Sequence, residues 1–306
     1  MSITTRLTEM LGCRHPLQQA GIGGMTSPDL AIAVAQAGGL GMLTGTLGDK
    51  GLRAQLDVLP PKGPIGVNFL APFLDRAALE TASARSPLVE LFWGVPDPEL
   101  VRTIHTGGAR AGWQVGSLDE AAAAADAGCD LVVAQGVEAG GHVRGSVGLI
   151  PLLDEVLSVS GDLAVVAAGG IGSGRAVAAA LTAGADAVRV GTRFMAAAES
   201  VAHPSYVDAL VRARAEDTVI TTAFGHGWPD APHRVLRSSV AAGEALGDAQ
   251  SWTPEWPDAH ASGPVEARAL YAGQSVGAVR SRQPAAAIVA ELVEEAERLL
   301  RRDLTA

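Results

Sequence analysis

Cysteine is nearly absent: Cys13 and Cys129 are the only two among 306 residues. Two thiols cannot make a disulfide framework or a four-thiolate metal site, and both are expected to be inert buried side chains. Aromatic residues make up only 4% of the chain against 48% apolar, so the core has to be assembled from alanine, valine and leucine. No basic run occurs, and the net charge of −10 argues against a nucleic-acid surface while leaving room for one anion-binding pocket. Long uninterrupted apolar segments are also missing, and Met1 to Arg14 is polar and mixed rather than a cleavable leader. A soluble, cytoplasmic protein with no membrane partner is expected. The scattered histidines His15, His105, His203, His226, His233 and His260 lack metal-ligand spacing, so no metal is expected. Of these, His226 and His233 are the candidates to face a pocket.

What the chain has in quantity is glycine, 37 residues, and much of it sits in a repeated phrase. A helical run of small residues ends on glycine and turns into an apolar strand at Ala37-Gly38-Gly39-Leu40, at Ala127-Gly128-Cys129-Asp130-Leu131 and at Ala183-Gly184-Ala185-Asp186-Ala187. Glycine in the left-handed position after a helix is the expected way to make that turn, and its recurrence is what a chain of βα units produces. Strands are predicted near 15–20, 40–43, 65–69, 88–93, 110–115, 130–134, 163–168 and 186–190. They read as continuous apolar runs, as a parallel sheet covered by helices requires. Eight strands separated by helices predict an α/β (βα)8 TIM barrel, with a doubly wound open sheet as the structural alternative.

Past the eighth strand the pattern breaks. Residues 202–262 carry Pro204, Pro229, Pro232, Pro254 and Pro257 and three of the five tryptophans. This stretch is expected to be a mixed helix and loop insertion, with helices near 206–214 and 237–246. Residues 1–201 and 263–306 then form the barrel, closed by an amphipathic helix over 284–302. Its inward face is Ala285, Ile288, Val289, Leu292, Ala296 and Leu299. Trp252 and Trp256 are candidates for an oligomer contact, with a homodimer left open.

Chemistry concentrates at predicted strand ends. The sixth strand runs into Gln135-Gly136-Val137-Glu138-Ala139-Gly140-Gly141-His142. Paired glycines let a ligand approach the backbone, and a histidine there can move a proton near neutral pH; the plain alternative is a glycine-rich surface turn. The seventh strand runs into Ala168-Gly169-Gly170-Ile171-Gly172-Ser173-Gly174 and the eighth into Gly191-Thr192-Arg193-Phe194. In such barrels the loops after these two strands often hold a phosphate, on amides freed at a helix N-terminus. A dinucleotide fingerprint fails on spacing, since its third glycine would fall on Arg175 or Val177. Gln18, Gln19, Asn68, Gln114 and Gln135 also sit at strand ends, where buried amides suit a heteroaromatic ring of alternating donors and acceptors.

Taken with Gln36-Ala37-Gly38-Gly39-Leu40-Gly41, Gly66-Val67-Asn68 and Gly273-Gln274-Ser275-Val276-Gly277, these motifs resemble the nitronate monooxygenases, formerly called 2-nitropropane dioxygenases. The resemblance covers nearly the whole chain outside the insertion. It implies a barrel carrying non-covalent FMN, with the phosphate on Gly169, Gly170, Gly191 and Thr192. The isoalloxazine would lie near Ala20, Gly21, Ile22, Asn68, Gln135 and Gly140, with Gly141 allowing close approach and His142 as the catalytic residue. It implies oxidation of alkyl nitronates by dioxygen to a carbonyl compound and nitrite, with His142 as a base if neutral nitroalkanes are also used. The small-molecule substrate and dioxygen are then the partners. The chain departs from the family's usual pattern at Ala20-Gly21-Ile22, at Phe92-Trp93-Gly94, and where Gly225-His226-Gly227-Trp228 and a later Arg234 replace a Gly-Arg-x-x-Arg element. An FMN-dependent enoyl-acyl-carrier-protein reductase shares the barrel and the Gly-Gly-His motif, and a non-catalytic flavin-binding barrel is the rival from another class. A loop-cysteine nucleophile is excluded, because Cys13 precedes the first strand and Cys129 the sixth.

Overall fold

A computed structural model describes residues 3–61, 63–225, 227–247 and 256–301. Its strands in chain order are Leu17–Gln19 (β1), Gly41–Thr44 (β2), Ile65–Leu70 (β3), Leu88–Phe92 (β4), Arg110–Val115 (β5), Leu131–Gln135 (β6), Gly141–His142 (β7), Ala164–Ala168 (β8), Ala187–Val190 (β9), Thr218–Thr221 (β10) and His233–Leu236 (β11). Eight of them form one parallel sheet in the order β1-β9-β8-β6-β5-β4-β3-β2. The seam between β1 and β2 closes through Leu40, whose N–H donates to the Leu17 carbonyl at 2.8 Å and whose carbonyl accepts from the Gln19 N–H at 2.9 Å. The molecule is therefore a TIM barrel, as expected, and the doubly wound alternative falls.

Local chemistry explains why the units alternate. Ser27, Asp75, Asp97, Ser117 and Ser173 each cap the helix that follows by accepting a backbone N–H. At the other helix ends Gly38, Gly128 and Gly184 take φ of 100°, 84° and 106°, the left-handed turn that releases the chain into the next strand. Strand residues then alternate between two buried layers. Inside the barrel, Met42, Leu88, Leu131, Val133, Ala164 and Val166 pack with Leu7, Leu11 and Cys13, so the short helix Arg6–Leu11 plugs the end where the strands begin. Outside, Val67, Val89, Leu91, Val132, Val165 and Val188 pack against the helices.

The last helix, Ala285–Leu300, buries Ala285, Ile288, Val289, Leu292 and Ala296, the predicted face, with Leu299 partly buried at its edge. It lies against the helix Gly174–Thr182, where a Cβ on Gly174 would run into Glu295. The Glu295 carboxylate accepts the Gly174 N–H at 2.9 Å. Within the 202–262 stretch the helices are Pro204–Arg212 and Arg237–Ala245. Proline patterning did not expose the strands there: β10 pairs antiparallel with β11, and β11 with β7, placing His233 opposite His142. This small sheet ties the described part of the stretch to the loop that carries His142.

Candidate active site

A cavity opens at the C-terminal ends of the barrel strands. It holds about 180 Å³, roughly a dozen times the room one ordered water needs, which is space for an organic ligand. Ala20, Gly21, Ile22, Asn68, Gln135, Gly140, Gly141, His142, Gly169, Gly170, Gly191 and Thr192 all border it. These residues come from loops spread over much of the chain, and the closure of the barrel brings them together.

Two glycine loops make one wall. Gly169 and Gly170 have φ of 111° and 68°, and a Cβ on Gly169 would come within 3.0 Å of the Gly136 carbonyl oxygen. Gly191 leads into the short helix Thr192–Met195. Among the described residues, the amides of Gly169, Gly170, Gly191 and Thr192 find no protein acceptor, so the donors of this wall are free for a ligand. The Thr192 hydroxyl accepts the Gly273 N–H at 3.0 Å. Gly140 and Gly273 in turn cross backbone to backbone, since a Cβ on Gly140 would collide with the Gly273 nitrogen. That contact explains why both motifs carry glycine there.

His142, on β7, also borders the cavity. Gln135 reaches across from β6, its Nε2 donating to the His142 carbonyl at 2.9 Å. The Gln135 Oε1 is buried without a partner, an acceptor left for something in the cavity. Trp228 lies on the His142 ring with centroids 4.4 Å apart and planes 32° apart, and Trp93 meets it edge-on at 5.9 Å. His233 and Tyr271 close the remaining sides at 5.4 and 5.8 Å. Burial, reinforced by His233, pushes the His142 pKa down to about 3, so the imidazole is neutral at physiological pH.

The floor is polar. Arg189 on β9 points into the barrel, its Nε donating to Gln18 Oε1 at 3.0 Å and an Nη to Gln114 Oε1 at 2.6 Å. Its other Nη pairs with the Glu90 carboxylate, and Gln18 Nε2 donates to that same carboxylate at 2.7 Å. Gln18 and Gln114 are thus held by a buried ion pair that sequence reasoning missed. A charge inside an apolar strand run, in Val89-Glu90-Leu91 and Val188-Arg189-Val190, was the available signal. Tyr271 was also missed, although it stands two residues before the Gly273-Gln274-Ser275 motif.

Some expectations need correction. Gln19 does not face the cavity, because its Oε1 accepts the Met42 N–H at 3.0 Å and stitches the β1–β2 seam. Trp256 packs on Gly23 and Gly24 and borders the cavity. Arg234 donates to the Val137 carbonyl and the Thr218 hydroxyl. His226 and Trp252 lie outside the described residues. Cys13 and Cys129 are buried, and burial raises both thiols, to about 11 and about 12. Among the described residues no three His, Cys, Asp or Glu side chains gather as a metal site would need, and no helix is long and apolar enough to cross a membrane.

A closed (βα)8 barrel with a glycine cradle, a polar floor and one shielded imidazole at its C-terminal face belongs to the class of cofactor-dependent barrel enzymes. More narrowly, the chain belongs to the nitronate monooxygenase family, whose description matches residues 4–82 and 71–295. Nitronate monooxygenase of Pseudomonas aeruginosa is 33% identical, across 96% of this chain and 99% of that protein. Among solved structures, FabK from Thermotoga maritima superposes with a TM-score of 0.84 at 30% identity, covering 98% of each chain. Nitroalkane oxidase from Streptomyces ansochromogenes does so at 0.78 and 30%, covering 95% of this chain and 98% of that one. The chain is an enzyme, an oxidoreductase of the monooxygenase kind, and its family implies a flavin.

Proposed function

We propose that the chain binds FMN non-covalently and oxidises alkyl nitronates with dioxygen, giving a carbonyl compound and nitrite. The observation that carries this reading is a cavity bordered by four unpaired backbone amides, an unpartnered amide oxygen and the His142 imidazole. The amides of Gly169, Gly170, Gly191 and Thr192 suit a phosphate, with no side-chain cation required. Ala20, Gly21, Ile22, Asn68, Gly140 and Gly141 leave a narrow, small-residue slot for a planar ring, and the free Gln135 Oε1 accepts a ring N–H. FMN held there would supply the redox chemistry between substrate and dioxygen. In this reading residues 1–201 and 263–306 hold the cofactor and residues 202–262 cover the site.

His142 is the residue that meets the substrate. A neutral imidazole donates a hydrogen bond to a nitronate oxygen and needs no proton of its own to do so. As a base on a neutral nitroalkane it is poorly matched, because a conjugate acid near 3 gives little driving force at pH 7. The nitronate is therefore the favoured substrate form. Replacing His142 with Asn keeps a donor and is expected to lower nitronate turnover modestly. A much larger loss on the neutral nitroalkane would restore the base role.

Purified protein is expected to be yellow, to release FMN on denaturation, and to consume oxygen and form nitrite with propyl-2-nitronate. A colourless preparation that refuses added FMN would remove the cofactor assignment. NADH oxidation coupled to an enoyl thioester, without nitronate turnover, would move the chain to the enoyl reductase chemistry. Bound FMN with none of these reactions would make it a binding barrel.

A further inference from the structure

Two tryptophans that do not border the cavity nonetheless touch its histidine. Trp228 follows β10 and Trp93 follows β4, yet their rings meet with centroids 4.7 Å apart, inclined at 67°. Phe73, after β3, meets the Trp228 ring at 5.1 Å and 90°. Trp228 is thus gripped by edge contacts from two directions while lying at only 32° to the imidazole. We propose that Trp228 is the positioning residue of this site: held by Trp93 and Phe73, it fixes the plane of His142 and keeps water from the face it covers, so that the ring meets the substrate uncharged. This rests on the reading of His142 as the group that meets substrate.

Backbone geometry supports it. Trp93 is the only non-glycine residue with positive φ, at 71°, among the described residues. A bulky ring held there is strained and persists only where its surroundings over-determine it. Those surroundings are Phe92 at 5.5 Å, Trp228, and the Arg144 guanidinium 5.7 Å over the Trp93 ring, with Arg144 itself paired to Glu120. Two of the three departures from the family pattern, Phe92-Trp93-Gly94 and the segment holding Trp228, therefore converge on one contact.

The charged and titratable groups around His142 fit the same role. On β11, His233 is turned by its Nδ1 toward the Ala231 carbonyl at 2.9 Å, and Arg234 is occupied by Val137 and Thr218. Burial raises Tyr271 to about 12, so it is an uncharged neighbour. Arg144 stands beyond Trp93, and the Glu138 carboxylate accepts the Leu149 N–H at 3.0 Å. Among the described residues no carboxylate pairs with the imidazole, so nothing there rewards its protonation and its aromatic cover opposes it.

The test follows nitrogen-15 shifts of His142 in FMN-loaded protein from about pH 5 to 8, the range in which an ordinary histidine titrates. Wild type and Trp228→Phe are expected to show no titration there, and flat kcat/KM for a nitronate. Trp228→Ala is expected to bring the His142 midpoint above about pH 5 and to introduce a matching inflection in kcat/KM. Phe73→Ala, at an exposed side chain, loosens the same stack and is expected to move the midpoint in the same direction by less. A silent His142 in both alanine variants would overturn the proposal, as would Trp228→Phe behaving like Trp228→Ala. The shift measurement needs no turnover, so an enzyme inactive on nitronates but showing these titrations would sink the proposed activity and leave this inference intact.

Discussion

Gly140 and Gly141 are neighbours in one motif and are glycine for different reasons. A Cβ on Gly140 would strike the Gly273 backbone, whereas one on Gly141 would meet nothing within 4 Å, its constraint being a φ of 73°. Gly141→Ala should therefore cost about 1–2 kcal/mol of backbone strain. Gly140→Ala has to push the Gly273 segment off the site, and thermal melts should show the larger loss for it. Gly191 differs again, since an added Cβ meets only Ala20 Cβ at 3.5 Å, an ordinary contact. Gly191→Ala should melt like wild type without cofactor. If the adjacent amides hold the phosphate, it should bind FMN at least about tenfold more weakly, or 1.4 kcal/mol, by fluorescence titration. Unchanged FMN affinity would move the phosphate elsewhere. At this scale the glycine motifs were legible as glycine clusters at strand ends, but only a constraint such as the φ of Gly141 is local; that Gly140 faces Gly273 appears only in the fold. Trp93 and Tyr271 were not legible as parts of the His142 surround, because nothing local marks what their rings will touch.

Strands β4 and β9 each carry one charge into the barrel, and the two meet there. Glu90 is fully buried and Arg189 nearly so, held with Gln18 and Gln114 in one network. Removing one partner leaves the other charge uncompensated. Glu90→Gln is expected to cost about 3–5 kcal/mol in urea unfolding, and adding Arg189→Met should recover most of it. Equal losses in the single and double variants would mean that the pair is not the compensating unit. Boundaries of the eight barrel strands came through the sequence well, because an apolar run bounded by a glycine cap is a local signal. The small sheet of β7, β10 and β11 did not, because a two-residue strand has no periodicity of its own and exists only where its partner arrives.

For the molecule as a whole, burial creates an acid liability. His142, His233 and His15 all have folded-state pKa values lowered chiefly by burial, His142 to about 3. The unfolded chain takes up protons near 6.5 while the folded chain does not, so it binds more protons between those values and stability rises with pH across them. For His142 stability should accordingly fall as the pH drops from about 6.5 toward 3, by at most about 1.4 kcal/mol per unit, and His233 and His15 act in the same direction. Melting temperatures of wild type should decline through that window, and His142→Phe should decline less steeply. Parallel curves would show that the imidazole is hydrated in the folded state.

The amino-acid order by itself determined the barrel, the position of its eight strands and the glycine loops that border the cavity. A βα unit is written in some thirty consecutive residues, so caps, glycine stops and apolar runs carry it without reference to the rest of the chain. Tertiary structure alone decided what surrounds His142, which residues neutralise each other beneath the cavity, and that Gln19 stitches a seam instead of facing a ligand. Those outcomes depend on side chains far apart in sequence, such as Trp93 with Trp228 and Glu90 with Arg189, whose meeting is fixed only when the barrel closes and brings its loops to one rim.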